Sequence, residues 1–402
     1  MTTSAPRTLF LTHSGVLGGA ERSLLDLAAA WPSAHRLMVL AEGPMAEAAR
    51  TRGLTVDVEP LGALAAMKRE SRVPGLGALA DVARLAAKVA TAAKELDLIH
   101  ANSQKAFVVA AAAGLLAQRP VVWHLRDILT TAHFSATNIR ASVLLANARA
   151  AAVIANSAAT AAAFVEAGGT ATLVHVVHNG LDAARFDAVT DAEVRAARSQ
   201  WGAVEATNAD AADAPACILA VCARLAPWKG QHVVIAALAQ LPDAQAWIIG
   251  AALFGEHAYA DGLRAQAEAL GVADRVRFLG ERDDVPTLLR AADVVVHSAV
   301  DAEPFGRVVV EGMLARRPVI ASDAGGVREI VRDGVTGWLV APGDPAALAA
   351  AVTRVRALPP AERTRHCEAA YADAIARFTV PAMVAGVSVV LNEVISGRRR
   401  RR

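Results

Sequence analysis

Glu303 and Glu311, with seven residues between them, enclose Pro304, Phe305 and Gly306 ahead of the apolar run Val308-Val309-Val310. The stretch follows Asp293-Val294-Val295-Val296-His297, a buried-strand pattern, which puts Glu303 on a loop leaving a strand. Pro304 suits the first turn of the helix that follows. The backbone N–H groups of Phe305, Gly306 and Arg307 are then expected at the positive end of that helix. Glu311, about two turns further on, falls near the same helical face. A carboxylate beside helix-terminal amides suits a sugar joined to a phosphate. The carboxylate accepts hydroxyl hydrogen bonds and the amides receive the anion. Taken alone, two such glutamates read as solvated helix charges, and the other segments of the chain reverse that reading.

Other segments add to the pattern. Arg224 and Lys229, in Ala223-Arg224-Leu225-Ala226-Pro227-Trp228-Lys229-Gly230, flank a loop at the carboxyl end of a strand, where open α/β sheets bind ligands. Two cations there can neutralise a diphosphate, one through its planar fork and one as a point charge. The loop His13-Ser14-Gly15-Val16-Leu17-Gly18-Gly19-Ala20-Glu21 follows the first strand and opens a helix. Gly18 and Gly19 allow backbone to approach a phosphate at that helix's N-terminus, although their spacing is not the dinucleotide fingerprint. His124 ends a strand with Arg126 and Asp127 beside it and is a candidate functional histidine. His175 and His178 read as structural. Gly325-Gly326 marks a further strand-to-helix turn.

The elements that must position these residues alternate along the chain. Short apolar strands are expected at residues 8–12, 37–40, 54–58, 96–99, 121–123, 152–154 and 173–177, mostly separated by helices. A second series starts at residues 217–221 and continues at 246–249, 276–279, 294–296 and 319–320. Continuous apolar strands of this kind belong to parallel sheets covered on both faces. Two such series imply two doubly wound α/β domains. The expected division is residues 1–180, a junction with a low-complexity insertion at 181–216, a second domain at 217–378, and a C-terminal helix and basic tail at 379–402. The last helix is expected over residues 380–395, ending at Gly397 before five consecutive arginines, 398–402.

Composition narrows the class. A net charge of +2 over 402 residues excludes a polycationic body, so nucleic acid is not an expected partner. Cys217, Cys222 and Cys367 are too scattered for a disulfide framework and read as buried thiols in a reducing compartment. The longest apolar run, residues 106–117, is short for a bilayer and reads as a buried helix. With no secretory signal pattern, a cytoplasmic protein is expected.

Together these motifs resemble the retaining nucleotide-sugar glycosyltransferases of family 4, of GT-B fold, in which two Rossmann-like domains face one another across a cleft. The resemblance extends over nearly the whole chain. It is carried by the Glu303–Glu311 motif, by Gly18, Gly19 and Glu21, and by Arg224, Lys229 and Gly230. His178-Asn179-Gly180-Leu181-Asp182 and Gly325-Gly326-Val327-Arg328-Glu329 also match, although the family often has proline where His178 stands. The resemblance implies that Glu303 binds donor-sugar hydroxyls and Glu311 the ribose. Arg224 and Lys229 would hold the β-phosphate with the amides of Phe305, Gly306 and Arg307. The segment from Phe278 to Arg282 would contact the base largely through backbone, and His124 would line the sugar pocket.

These residues supply a clamp for the leaving group and one for the sugar, but no evident nucleophilic carboxylate. A front-face transfer with retention fits, with electrostatic stabilisation of the departing diphosphate as its main term. No Asp-x-Asp metal motif is present, and neither a divalent metal nor another cofactor is expected. The expected partners are a UDP- or GDP-sugar and a glycan or lipid-linked acceptor, as in envelope or extracellular polysaccharide synthesis. An anionic membrane surface is a further expected contact, through residues 398–402 and through Lys68, Arg69 and Arg72 near Met67. The alternatives are a GT-B nucleotide-sugar epimerase and a non-catalytic sugar-nucleotide-binding protein.

Overall fold

The computed structural model describes residues 5–62, 76–202, 217–253 and 255–401. Met67, Lys68, Arg69, Arg72, the insertion 203–216 and Arg402 lie outside the described residues. The chain divides into two compact units, Met1–Leu181 with Thr379–Arg402, and Asp182–Phe378.

Unit 1 is built on strands β1 (Thr8–Thr12), β2 (His35–Val39), β3 (Val56–Val58), β4 (Leu98–Ala101), β5 (Val121–Leu125), β6 (Ala150–Ala155) and β7 (Val174–Val176). All pair in parallel, in the order β3-β2-β1-β4-β5-β6-β7. Phe10 on β1 stands opposite Leu37 on β2 and His100 on β4, which fixes the register at the centre of the sheet. On one face Trp123 stacks on Phe107 with ring centroids 4.8 Å apart. Burying such rings contributes a large share of the core's apolar stabilisation.

Unit 2 repeats the plan with β8 (Cys217–Cys222), β9 (Ala244–Ile249), β10 (Val276–Gly280), β11 (Val294–His297), β12 (Val319–Ser322) and β13 (Trp338–Val340). Their order is β10-β9-β8-β11-β12-β13, again parallel throughout. β13 was not expected as a strand: it has three residues, two of them only half-buried. In each sheet the winding reverses direction once, between β1 and β4 and between β8 and β11. Ligands of doubly wound sheets bind outside the carboxyl ends of the strands at such a switch point.

Helix starts differ with position. Ser103, Ser135 and Ser157 cap their helices by accepting from Ala106 N, Asn138 N and Thr160 N at 3.0–3.2 Å. The helices that follow β1, β8, β11 and β12 start instead at Gly18, Gly230, Gly306 and Gly326, with no side-chain cap. At the unit 1 switch point the Glu21 carboxyl, from the helix's own first turn, accepts from the Gly18 and Glu21 amides, whereas Gly230 and Gly306 leave the unit 2 helix starts without an N-cap side chain.

The helix Gln104–Ala117 is buried along one side only: Phe107 and Val109 lie in the core, whereas Leu115 and Leu116 are exposed. The last helix runs over Val380–Arg401, through Gly397 rather than ending there, because glycine weakens a helix without forbidding it. Its Val380–Arg398 portion, with mean hydropathy 1.6, is by length and composition apolar enough to cross a membrane. Its inner stripe is nevertheless committed to unit 1: Met383, Val387, Val390 and Leu391 are buried in one cluster with Phe10, Leu24 and Ile154. Two glycines permit this return. A Cβ on Gly180 would lie 2.4 Å from the Thr379 carbonyl oxygen, and one on Gly386 would lie 2.8 Å from Val177. Arg398 donates to the Gln118 carbonyl. Leu391→Ala is expected to destabilise the full chain by about 2–5 kcal/mol in urea unfolding. A change near zero would show that this helix does not belong to the unit 1 core.

Candidate active site

At the unit 2 switch point, the loops leaving β8 and β11 are joined by backbone contacts that leave no room for side chains. Lys229 ends a 3₁₀ turn, Pro227–Lys229, and Gly230 follows in the left-handed region at φ +71°. A Cβ on Gly230 would fall 1.9 Å from the Ser298 carbonyl oxygen. Ser298 Oγ donates to the Lys229 carbonyl at 3.0 Å, and Val300 N donates to the Trp228 carbonyl at 2.9 Å. The Glu303 backbone is fixed from the other side. Gly326 N donates to the Glu303 carbonyl at 2.8 Å, and Gly325, at φ +61°, passes so close that a Cβ would lie 2.3 Å from that oxygen.

This framework brings three functional groups together. Lys229 Nζ donates to Glu303 Oε1, and His297 Nε2 lies 2.5 Å from Glu303 Oε2. An ionised carboxylate only accepts, so His297 carries its proton on Nε2. The Glu303 side chain is 14% exposed. Burial works to raise its pKa, but the Lys229 charge and the His297 hydrogen bond outweigh burial and hold the carboxyl well below the usual carboxylate range. His297 was not singled out in the sequence, although a polar residue closing the apolar strand Val294-Val295-Val296 is a signal of its own.

Trp228, also not anticipated, lies beside both cations: its ring centroid is 4.1 Å from Lys229 Nζ and 5.8 Å from Arg224 Cζ. Arg224 Nη1 pairs with Glu256 at 3.4 Å. The following helix begins at Arg307, with Gly306 left-handed at φ +97°. Pro304 therefore sits in the preceding bend and not in the first turn, because the reversal at Gly306 separates it from the helix. Phe305 is buried, its ring 5.8 Å from that of Phe378, so only its backbone is available to a ligand. Glu311 lies 3.8 Å from Arg307 one turn away. The Arg282 guanidinium is held by both oxygens of Asp284 at 2.8 and 2.7 Å, which raises its pKa.

Unit 1 has its own polar cluster at the β1/β4 switch point. Gly18 caps the helix Gly19–Ala29 and Gly19 is exposed at its first turn. His124 is not a surface group. It is fully buried on β5, with Nδ1 3.0 Å from His100 Nε2. Burial first, then the positive charge of Arg126, hold both imidazoles neutral, His100 with a pKa lowered to about 3. His124 as a pocket-lining residue is therefore corrected to a core histidine. Arg126, two residues on, occupies the centre of the polar cluster: its Nε donates to Asn102 Oδ1 at 2.9 Å and its Nη1 to Ser23 Oγ at 3.2 Å and to Asn179 Oδ1.

Glu21 completes this cluster, 7% exposed, with its carboxyl raised to about 7 by burial and by Asp127 against the hydrogen bonds of the Glu21 and Gly18 amides and the pull of Arg126. A carboxyl whose folded pKa lies above its unfolded value contributes stability below about pH 4 that is lost as pH rises through 7. Glu21→Gln is accordingly expected to be more stable than the parent at pH 8, by about 3 kcal/mol for a shift of this size, and equal to it near pH 4. Parallel stability–pH curves for the two proteins would contradict the assignment.

Comparison with known proteins places this geometry. The family description "Glycosyl transferases group 1" matches residues 209–373, and "Glycosyltransferase Family 4" matches residues 17–185. The solved structure of Anabaena Alr3699/HepE in complex with UDP and glucose is 39% identical, covers 96% of this chain and 99% of that chain, and superposes with a TM-score of 0.85. The same protein in complex with UDP-glucose gives 38% identity, coverage of 96% and 100%, and a TM-score of 0.84. The D-inositol 3-phosphate glycosyltransferase of Mycolicibacterium vanbaalenii is 37% identical over 228 residues, which are 53% of this chain and 47% of that protein. The chain thus spans less than half the length of this curated relative. On these matches and the two Rossmann-like sheets, the chain belongs to the family 4, group 1 glycosyltransferases of GT-B fold.

Proposed function

We propose that the chain transfers a hexosyl group from a UDP-sugar to a hydroxyl of a glycan or lipid-linked acceptor, with retention and without a divalent metal. The observation that carries this reading is the pairing of Lys229 with Glu303 at the unit 2 switch point, with Arg224 on the same loop beside Trp228. The donor diphosphate would take over Lys229 and recruit Arg224, with the amides of Phe305, Gly306 and Arg307 assisting. Glu303, released from the ammonium, would accept hydroxyl hydrogen bonds from the sugar, and Glu311 those of the ribose. Backbone from Phe278 to Arg282 would meet the base. Uridine is favoured over guanosine because the Anabaena relative, matched along almost its entire length, is described with UDP and UDP-glucose.

The chemistry follows from the charges. With the donor bound, His297 on one Glu303 oxygen and sugar hydroxyls on the other would keep both oxygens engaged, which disfavours a covalent glycosyl-Glu303 intermediate. A front-face path remains: the C–O bond to the diphosphate lengthens, a diphosphate oxygen takes the acceptor proton, and the acceptor oxygen bonds on the same face. Lys229 and Arg224 stabilise the charge growing on the leaving group, the role a divalent metal fills elsewhere. An envelope or extracellular polysaccharide is the product class this reading favours.

The experiment supplies UDP-glucose with a panel of saccharide, lipid-linked and inositol phosphate acceptors and follows the product by NMR. A product of retained anomeric configuration is expected, at a rate unchanged by EDTA. Lys229→Ala is expected to lower that rate at least tenfold, about 1.4 kcal/mol of transition-state stabilisation. Sugar epimerised without acceptor would indicate an epimerase, and donor binding without turnover a binding protein. A parental rate in Lys229→Ala would remove the diphosphate clamp.

A further inference from the structure

Unit 2 also carries a concave site, at the end of its sheet opposite Lys229 and Glu303. Cys217 opens β8, Asp293 immediately precedes β11 and Pro318 immediately precedes β12, so all three mark amino ends of parallel strands. Lys229 and Glu303 follow the carboxyl ends. At about 3.3 Å of rise per residue, β8 alone separates its two ends by roughly 17 Å. At the amino end these residues line a cavity of about 400 Å³ with five arginines. Arg198 comes from the helix Asp191–Trp201, Arg316 and Arg317 from the turn after Arg307–Leu314, Arg356 from Pro345–Ala357, and Arg363 from Pro360–Arg377.

The carboxylates in and around the cavity are already engaged. Asp293 pairs with Arg198 at 3.1 Å and accepts from Ile218 N at 2.8 Å. Glu368 pairs with Arg316 at 2.7 Å, and Asp243 lies 3.5 Å from Arg356. Among the described residues no carboxylate forms an ion pair with Arg317 or Arg363. Arg317 Nε is buried without a hydrogen-bond partner, and burial lowers the pKa of its guanidinium. A buried cation that cannot deprotonate is costly unless an anion meets it. The thiols of Cys217 and Cys367, pushed up to about 11 by burial, are neutral and leave the site positive.

We propose that this cavity binds a small, multiply charged phosphate-class anion, held by the forks of Arg317 and Arg363 and surrounded by Arg198, Arg316 and Arg356. All five cations are arginine and none is lysine, which suits several phosphate oxygens met in plane. The lining offers no aromatic face for a base, so the site fits an oligophosphate or phosphorylated small molecule rather than a nucleotide. The inference does not depend on glycosyl transfer.

The test titrates inorganic pyrophosphate calorimetrically, at low ionic strength, into the full chain carrying Lys229→Ala, which removes the ammonium proposed to hold a diphosphate at the other end. One binding event is expected there. Adding Arg317→Gln with Arg363→Gln should weaken it at least tenfold. Arg363→Glu alone, at a half-buried position, should weaken it comparably while thermal unfolding without ligand stays at the parental midpoint. No binding in the Lys229→Ala chain, or equal binding in both arginine variants, would overturn the proposal.

Discussion

A carboxylate taken largely out of water persists as an anion only where fixed positive charge and hydrogen-bond donors replace its hydration, and in unit 2 this requirement falls on Glu303. Lys229 answers one oxygen and His297 the other. The three side chains come from two loops and the end of a strand, on backbones that pass in direct contact. That explains the glycines. Gly230 lets the Lys229 loop pass against Ser298, and Gly325 lets the turn after β12 pass against Glu303. The triad is thus a consequence of sheet order, because only strands flanking the reversal, β8 and β11, deliver neighbouring loops that open toward the same side.

The two units solve one topological problem with different polar chemistry. In unit 1 the switch point is filled by Arg126, tied to Ser23, Asn102 and Asn179, and the last helix of the chain returns to pack beneath it. In unit 2 the switch point is lined by an ion pair that a ligand could exchange. Such a pairing has a physical advantage: Lys229 and Glu303 satisfy each other, and on the proposed function a diphosphate and a sugar would replace each partner with a complementary group, so that neither charge is left bare.

Much of the fold was legible because strands buried on both faces are written as apolar runs, as Val294-Val295-Val296 and Cys217-Ile218-Leu219 are. β13 was not, since a half-buried three-residue strand resembles a loop. Lys229 and Glu303 could be placed on loops after strands, but their contact depends on backbone crossings at Gly230 and Gly325 that no local pattern states. His124 misled for the converse reason. Its neighbours Arg126 and Asp127 suggested an exposed strand end, yet β4–β5 register sets His100 opposite Val122, on the same face of β5 as His124, and the two imidazoles meet inside the sheet. The packing of the last helix on unit 1 was illegible because Met383, Val387 and Leu391 reveal an apolar stripe without revealing its partner.

The central claim is that Glu303 holds Lys229 until a donor diphosphate takes its place. The most direct test is the affinity of Glu303→Gln for UDP, measured by calorimetry beside the parent protein. Removing the carboxylate's charge frees Lys229, so the account requires the variant to bind UDP more tightly than the parent, while its rate of sugar transfer falls. UDP affinity that is unchanged or weaker in Glu303→Gln would contradict the exchange on which the account rests.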